Sequence, residues 1–244
     1  IATYVICTSP RSGSTLLCDL LAATGVAGNP ASWFHRPSLD DWARGLHVSL
    51  GEDDEADFVS RLFEAARELG SGSGNVFGLR LQRHSFAFFF ETLRSLHPAS
   101  SSDAESFERS FGPTRYIHLF REDKVGQAVS YVRAQQSGLW HVAADGSELE
   151  RIAPPRDPHY DAGAIKAQVE VFTEFDRLWS AWFRQERIEP LRLSYARLAD
   201  DPVVATLDLL EYLGVDPGAA DHIVPGVSKM ADAVTEDWVS RFRA

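Results

Sequence analysis

The sequence has few cysteines, no long apolar run and a deficit of basic residues, and each shortage excludes a class of protein. Cys7 and Cys18 are the only cysteines in 244 residues, so they support neither a disulfide framework nor a cysteine-based metal site. We expect both to be small buried side chains. No stretch approaches the ~20 apolar residues of a membrane span, and no signal peptide is visible. A cytoplasmic protein is therefore expected.

The charge balance argues against a nucleic-acid partner. Lysine and arginine total 24 against 35 acidic residues, which gives a net charge of −11. A general nucleic-acid binder should be basic overall. A small anionic ligand remains compatible, because a local cluster of arginines and backbone N–H groups can oppose the field of the whole molecule.

Short apolar runs alternate with helical patterns, which predicts an α/β fold. Such alternation implies a mostly parallel central sheet covered by helices on both faces. No repeat or linker interrupts the pattern, so residues 1–244 are expected to form a single domain. Strands are predicted at residues 4–8, 76–81, 115–120 and 191–195, and helices at 14–24, 53–69, 85–96, 123–136, 161–187, 202–213 and 231–242.

Several segments between these elements are predicted to be loops. Gly, Pro and Ser content indicates loops at residues 28–37, 98–107 and 141–159. Long loops in compact domains are often lids or binding elements, so residues 33–50 and 141–159 are expected to act as lid or acceptor loops. The helix at 161–187 has an aromatic stripe that favours core or dimer packing over a cofactor site; its aromatic residues include Phe172, Phe175, Trp179 and Trp182.

The stretch YVICTSPRSGSTLLCDLLAATG, residues 4–25, connects the first predicted strand to the first predicted helix. Such a junction aims free backbone N–H groups at whatever lies above the helix start, and the helix dipole adds partial positive charge there. Glycine allows close backbone approach and arginine supplies a permanently charged fork. These features predict a phosphate cradle, with a purely structural turn as the alternative. The candidate residues are Arg11, Ser12, Gly13, Ser14 and Thr15.

Four better-known loop types do not match this stretch. The NTPase pattern G-x-x-x-x-G-K-[ST] and the dinucleotide pattern G-x-G-x-x-G are absent, as is the hydrolase elbow G-x-S-x-G. A cysteine-dependent phosphatase has its arginine six positions after the cysteine, whereas Arg11 follows Cys7 by four. A P-loop kinase with a degenerate loop therefore remains only a remote alternative.

A second anion-binding element is predicted after the strand at 115–120. Arg121 follows that strand directly, and the C-terminal ends of parallel strands are where open α/β sheets bind ligands. Arg121 could bind a second phosphate bidentately while Ser130, on the following helix, donates to it. The alternative is a surface ion pair of Arg121 with Glu122 or Asp123.

Together these stretches resemble the sulfotransferases that use 3′-phosphoadenosine 5′-phosphosulfate (PAPS), and most closely the bacterial trehalose-sulfotransferase family. The resemblance extends from one end of the chain to the other and implies a P-loop-like, three-layer α/β fold. It rests on SPRSGSTLL, ATGVAGNP, FGLR, FREDKVGQAVSYVRAQQSGLW, YARLADDP…LLEYLGV and MADAVTEDWVSRFR.

The resemblance implies a role for each matched position. Residues 11–15 would hold the 5′-phosphosulfate of PAPS, and Arg121 with Ser130 would bind its 3′-phosphate. Lys229 lies where the family tends to have an arginine that meets the donor. The donor brings an activated sulfate, so no metal is required. Acceptor contacts are expected from Trp33, Phe34 and Trp140.

The sequence departs from the family at the catalytic base. The family usually has a glutamate in the pattern G-x-P-x-E after the first helix, whereas Ser32 occupies that place here. His35, three residues on, is the candidate base, because a pKa of ~6.5 suits proton abstraction. An exposed loop histidine is the alternative reading, and Asp40 and Asp41 are carboxylate substitutes nearby. Arg80 replaces the family's strand lysine and is expected to stabilise the leaving phosphate oxygen.

The expected function is transfer of a sulfuryl group from PAPS to a hydroxyl acceptor, such as a carbohydrate or glycolipid. The alternatives are a catalytically impaired nucleotide-binding protein, suggested by Ser32, and the P-loop kinase. The family resemblance is also compatible with a homodimer.

Overall fold

A parallel sheet lies at the centre of the computed structural model, which describes residues 2–49, 51, 54–143, 145–224 and 233–244. It contains four strands, which lie in the order β2 (Val76–Gln82), β1 (Ala2–Thr8), β3 (Thr114–Phe120) and β6 (Leu191–Ser194), and every neighbouring pair is parallel. Each predicted strand is confirmed to within two residues at either end. The strands are β1 (Ala2–Thr8), β2 (Val76–Gln82), β3 (Thr114–Phe120), β4 (Leu139–Val142), β5 (Glu148–Arg151) and β6 (Leu191–Ser194).

Helices flank the sheet, and most of them begin at a side-chain cap. A serine or aspartate N-cap accepts a hydrogen bond from a first-turn N–H at seven of the described helix starts. These caps are Ser38, Asp54, Ser102, Asp123, Asp161, Ser194 and Asp201. The helices are α1 (Ser14–Ala23), α2 (Leu39–Leu46), α3 (Glu55–Ser71), α4 (Phe86–Leu96), α5 (Asp103–Phe111), α6 (Lys124–Ser137), α7 (Ala162–Glu186), α8 (Tyr195–Asp200), α9 (Pro202–Leu213) and α10 (Ala233–Arg243).

The two faces of the sheet pack against different helices, which confirms the predicted three layers. Successive side chains of β1 alternate between the faces, because the strand period is two. Val5 and Cys7 belong to one core cluster with residues of α3, α4, α5 and α7. Tyr4 and Ile6 belong to the other, with residues of α1 and α9. Both cysteines are buried and free, with Cys7 0% and Cys18 6% exposed, as expected.

Three segments predicted as loops contain regular structure. Residues 98–107 were predicted to be a loop, but Ser102 accepts a hydrogen bond from the Glu105 N–H and starts α5. Residues 33–50 include α2, which Ser38 caps in the same way. Residues 141–159 begin within the antiparallel β4–β5 hairpin. Gly, Pro and Ser content indicated loops, whereas in α2 and α5 a serine is the helix N-cap.

The two tryptophans of the α7 stripe pack inside the molecule. Trp179 is 0% exposed, and its indole N–H donates to the Thr8 carbonyl at 2.9 Å. Trp182 is also buried, and it donates to Asp103 Oδ2 at 3.0 Å. Both tryptophans are therefore core residues, whereas Phe172 and Phe175 line a cavity. None of the helices in the described part of the chain has the length and apolarity that a membrane crossing requires.

Candidate active site at the carboxyl ends of the strands

A cavity of about 900 Å³ opens at the carboxyl ends of all four parallel strands. Its wall includes Arg11 after β1, Arg80 at the end of β2, Arg121 after β3 and Tyr195 after β6. Helix α6 contributes Ser130, and the β4–β5 hairpin closes another side. This edge of a parallel sheet is where the fold class binds ligands, because the loops that follow the strands converge there.

Hydrogen bonds from helix α6 hold the start of the loop between β1 and α1, residues 9–13. The Gln127 side-chain amide donates to Ser9 Oγ at 3.0 Å and to the Pro10 carbonyl at 2.7 Å. The loop contains two residues in the left-handed region, Arg11 with φ 62° and Gly13 with φ 86°. Such a conformation is costly for arginine, so the surrounding contacts must impose it.

The N-terminus of α1 carries no side-chain cap. Its N-cap is Gly13, which has no side chain to accept from the first-turn N–H groups. A Cβ at Gly13 would lie 2.5 Å from Tyr195 Cδ2, so only glycine fits beneath that ring. Gly13, Ser14 and Thr15 line the cavity, and the uncapped helix start therefore presents donors and partial positive charge to it.

Arg121 enters the cavity with unused hydrogen-bonding capacity. Its guanidinium lies 4.6 Å over the Tyr195 ring, and its Nη1 donates to the Arg11 carbonyl at 3.4 Å. Its Nε is buried without a hydrogen-bond partner, and it forms no salt bridge with any described residue. Burial lowers the pKa of Arg121. A buried cation without a carboxylate partner favours an anionic ligand.

Arg11 lies next to Arg121 and to Ser130, so the structure brings these three predicted residues together. Arg11 Nε donates to Ser130 Oγ at 3.0 Å, and its Nη1 donates to the carbonyl of Trp140. Burial, and then the neighbouring charge of Arg121, lowers the pKa of Arg11 to about 10. The two guanidinium groups repel each other in the absence of an anion, and a ligand with several negative charges would relieve this repulsion.

Arg80 connects the position of the missing glutamate with the first loop. Its Nε donates to Ser32 Oγ at 2.7 Å, and its Nη1 donates to Thr15 Oγ1 at 3.0 Å. Ser32 Oγ in turn donates to the Arg80 carbonyl at 3.3 Å. Within the described ranges Arg80 has no carboxylate in salt-bridge contact, so a third cationic side chain faces the cavity.

The β4–β5 hairpin supplies a histidine and a carboxylate that the loop prediction missed. His141 Nδ1 lies 2.6 Å from Glu150 Oε2, and His141 Nε2 lies 2.8 Å from Thr15 Oγ1. Burial, followed by the charge of Arg11, lowers the pKa of His141, while Glu150 acts in the opposite direction. The signal for this hairpin was present in the sequence, because Asp-Gly at 145–146 is typical of a tight hairpin turn.

His35 reaches the cavity but has a different environment. Its ring lies 4.7 Å from the His84 ring, and its carbonyl accepts from Ser85 Oγ at 2.5 Å. Burial and the charges of Arg80 and Arg36 lower the pKa of His35.

The carboxylate substitutes considered near His35 do not reach the cavity. Asp41 pairs with Arg44 on the surface of α2. Neither Asp40 nor Asp41 is part of the cavity wall.

The structure buries two of the predicted contact residues away from the cavity wall. Phe34 is only 2% exposed and its ring packs against Trp42, Phe63 and Phe89, so its side chain belongs to the core. The Ser12 hydroxyl is fully buried 2.5 Å from Thr8 Oγ1, so it stabilises the loop from inside.

Two tryptophans and a lysine complete the predicted set. Trp33 and Trp140 line the cavity, and both indole Nε1 atoms are buried without a hydrogen-bond partner among the described residues. Lys229 lies outside the described residues. The described residues contain no cluster of three or more metal-ligating side chains.

The fold is that of the sulfotransferases. The sulfotransferase domain of the olefin synthase from Synechococcus PCC 7002 matches with a TM-score of 0.50 and 16% sequence identity, over 100% of this chain and 94% of that domain. The sequence also identifies the family. The chain belongs to the Stf0 sulphotransferase family, whose sequence model matches residues 3–244. The resemblance predicted from the motifs is therefore confirmed.

Curated relatives agree with this assignment. The chain is 30% identical to trehalose 2-sulfotransferase of Mycolicibacterium smegmatis, over 98% of this chain and 94% of that protein. It is 28% identical to trehalose 2-sulfotransferase of Mycobacterium tuberculosis, over 100% of this chain and 95% of that protein. These matches cover nearly the full length of this chain and of each relative, so the similarity is not confined to one motif.

Proposed function

We propose that this chain transfers the sulfuryl group of PAPS to a hydroxyl group of a carbohydrate or glycolipid. The observation that carries the proposal is the convergence of Arg11, Arg80 and Arg121 with an uncapped helix N-terminus on one cavity. This concentration of positive charge occurs in a chain with a net charge of −11, so it is a local feature of the site. Membership of the family supports sulfuryl transfer as the chemistry.

The donor would be held at both of its anionic ends. The backbone N–H groups at the start of α1 and the side chains of Arg11 and Thr15 are suited to the 5′-phosphosulfate. Arg121 and Ser130 are suited to the 3′-phosphate, because Arg121 Nε has no hydrogen-bond partner within the described chain. Lys229 is proposed to contact the donor as well, on the family resemblance alone.

The same side chains would act on the transferring group. Sulfuryl transfer, like phosphoryl transfer, needs the nucleophile and leaving group in line and the developing charge stabilised. Arg80 already donates two hydrogen bonds on the floor of the cavity, to Ser32 and Thr15. From that position it would stabilise negative charge on the leaving phosphate oxygen together with Arg11.

The acceptor is proposed to be a sugar hydroxyl. The named activity of both curated relatives is sulfation of trehalose. Trp33 and Trp140 offer aromatic surface at the cavity, and each carries an indole N–H that lacks a partner in the described structure. Aromatic rings with a polar N–H suit a sugar, which presents both C–H faces and hydroxyls.

The test is a transfer assay with PAPS and trehalose, read by mass spectrometry of the sulfated sugar. The wild type should form sulfated trehalose, and Arg121→Ala should not. Arg109→Ala is the matched control, because Arg109 makes an exposed ion pair with Glu105 on α5. A wild type that forms no sulfated product from trehalose, other sugars or glycolipids would overturn the proposal.

The alternative is a nucleotide-binding protein without transferase activity, and Ser32 is the observation that favours it. A serine cannot accept a proton as the family's glutamate does, and Ser32 already hydrogen-bonds Arg80 at 2.7 Å. This alternative predicts binding of 3′-phosphoadenosine 5′-phosphate (PAP) without turnover of PAPS. A thermal-shift comparison of PAP with ATP and Mg²⁺ distinguishes both readings from a kinase, since a preferred ligand raises the apparent stability.

A further inference from the structure

We propose that His141, positioned by Glu150, is the general base that accepts the proton of the acceptor hydroxyl, an inference that rests on the sulfuryl transfer proposed above. Both residues lie on the β4–β5 hairpin and both line the cavity. They would replace the glutamate that is absent at Ser32. The catalytic base would thus come from the hairpin and not from the loop after α1.

The hydrogen bonds of His141 fix its tautomer. Nδ1 lies 2.6 Å from Glu150 Oε2, and an ionised carboxylate can only accept, so the ring proton resides on Nδ1. Nε2 is then the acceptor, and it lies 2.8 Å from the Thr15 hydroxyl. A carboxylate, an imidazole and a hydroxyl in this order form the arrangement in which a histidine removes a proton from an oxygen nucleophile.

Thr15 marks the place of the reacting hydroxyl. Its Oγ1 lies between His141 Nε2 at 2.8 Å and Arg80 Nη1 at 3.0 Å, at the uncapped start of α1. When the Thr15 side chain turns to donate to the 5′ end of the donor, Nε2 becomes free for the acceptor hydroxyl. His141 Nε2 and Arg80 Nη1 both contact Thr15 Oγ1, so the base and one contact of the leaving group belong to the same part of the cavity wall.

Burial and the neighbouring arginines favour the neutral form of His141, which is the form that can accept a proton. Arg11 faces it from the β1–α1 loop, Arg80 from β2 and Glu150 from β5. Burial and the two arginines lower the pKa of His141, while Glu150 acts in the opposite direction. Once a proton has been accepted, the Glu150 carboxylate stabilises the imidazolium.

The other cavity histidines lack this support. His35 and His84 face each other with their rings 4.7 Å apart, and no described carboxylate lies within salt-bridge distance of either ring. Burial, followed by the charge of His35, lowers the pKa of His84 to about 4. A base with a strongly lowered pKa accepts a proton poorly, so His84 is less suited to the step than His141, and His35 lacks a carboxylate partner like Glu150 that would stabilise its protonated ring.

The proposed step balances without a further reactant. The O–H bond of the acceptor breaks and its proton moves to His141 Nε2, while the hydroxyl oxygen forms a bond to sulfur. The bond from sulfur to the 5′-phosphate oxygen breaks, and its electron pair stays on that oxygen near Arg80 and Arg11. The products are the sulfate ester, PAP and a protonated His141 that returns its proton to solvent.

The kinetic test compares His141→Gln with His35→Gln and with His159→Gln, an exposed histidine outside the cavity. In the transfer assay with PAPS and trehalose, His141→Gln should lower turnover by roughly 10²- to 10⁴-fold. Calorimetry should show unchanged PAP affinity, and His159→Gln should match the wild type. A larger loss in His35→Gln than in His141→Gln would overturn the assignment.

Glu150 is tested as a positioning residue through the pH profile. Glu150→Gln removes the charge that raises the pKa of His141, so the acidic limb of the turnover profile should move to lower pH while the plateau falls roughly tenfold or more. The KM for trehalose should stay unchanged. Glu148→Gln is the matched control, because Glu148 pairs with Arg151 on the same hairpin. An unmoved acidic limb in Glu150→Gln contradicts a positioning role.

A spectroscopic measurement tests the pair even if the wild type transfers nothing to trehalose. Nitrogen-15 NMR of the histidine rings should show the Nδ1–H tautomer for His141, a lower His141 pKa in Glu150→Gln and a higher pKa after PAP is added. An Nε2–H tautomer, or a pKa indifferent to Glu150, overturns the proposed base. Absence of transfer together with the expected spectra would instead refute the proposed function and leave the arrangement of the pair intact.

Discussion

Replacing Arg121 with alanine should strongly weaken nucleotide binding while leaving the ligand-free protein almost as stable as before. In the free protein Arg121 contributes a cation–π contact with Tyr195 and one 3.4 Å hydrogen bond to the Arg11 carbonyl. Loss of the cation–π contact costs about 0.5–2 kcal/mol. The substitution also relieves the repulsion that lowers the pKa of Arg11. These effects oppose each other, so the free energy of unfolding should change by about 1 kcal/mol or less.

The bound protein should respond differently. Truncating one partner of a buried charge-assisted pair costs about 2–5 kcal/mol, so a loss of about 100-fold in affinity for PAP lies at the lower end. At a PAP concentration 100 times the wild-type Kd, the ligand stabilises the wild type by about 2.7 kcal/mol and Arg121→Ala by only about 0.4 kcal/mol. Because 1 kcal/mol shifts the Tm of a chain this size by about 2–4 °C, the ligand-induced shift should fall from about 5–11 °C to about 1–2 °C.

Differential scanning fluorimetry with and without PAP measures both quantities in one experiment. Arg109→Ala controls for loss of a surface arginine, since its ion pair with Glu105 lies on α5. A full ligand-induced shift in Arg121→Ala would refute the placement of the 3′-phosphate. A large drop in the ligand-free Tm would show that Arg121 strongly stabilises the free protein. That result would refute the argument that its gains there are offset by repulsion from Arg11.

Three further substitutions test the loop, the floor of the cavity and the core. Gly13→Ala places a Cβ 2.5 Å from Tyr195 at a φ of 86°, so the urea midpoint should drop by the equivalent of about 1–3 kcal/mol. Arg80→Lys keeps the charge but loses the fork that binds Ser32 and Thr15, so calorimetry should show a PAP affinity weaker by roughly 3- to 30-fold. Burial lowers the pKa of His118 to about 3, below the ~6.5 of the unfolded chain, so protonation of the unfolded state should cost about 2 kcal/mol of stability between pH 7.5 and 5. In His118→Phe, urea titrations should show that this loss has disappeared.

Most of the sheet was predictable because β1, β2 and β3 are largely buried on both faces and therefore form apolar runs bounded by turn residues. The edge strand β6 has only Leu193 buried, yet the segment predicted at 191–195 is a strand as well. The helices missed by the pattern were short ones within polar sequence. Helix α5 depends on Ser102 as its cap and on tertiary packing of Phe107, which local composition does not reveal.

The candidate site was predictable where it depends on the topology and unpredictable where it depends on a side chain's direction. Parallel strands end at one edge, so Arg11 and Arg121 had to be close, and they line one cavity. Trp33 and Phe34 are adjacent aromatic residues, and only one of them faces the cavity. The sequence does not show which one, so the inward position of Phe34 could not be predicted. His141 was missed because the hairpin was predicted as loop, which separated it from Glu150.

The rate at which the two buried thiols react with an added reagent should report how often the folded chain opens. Cys7 is the penultimate residue of β1, and Cys18 lies on the buried side of α1, the helix that follows the loop at residues 9–13. Burial raises the pKa of Cys18 to about 11, and it raises the pKa of Cys7 as well, so neither thiol is nucleophilic while the core is closed. Alkylation by such a reagent therefore requires local or global unfolding that exposes the sheet or the first helix. Because both thiols flank the loop that would grip the nucleotide, a bound ligand should lengthen the time each one takes to react.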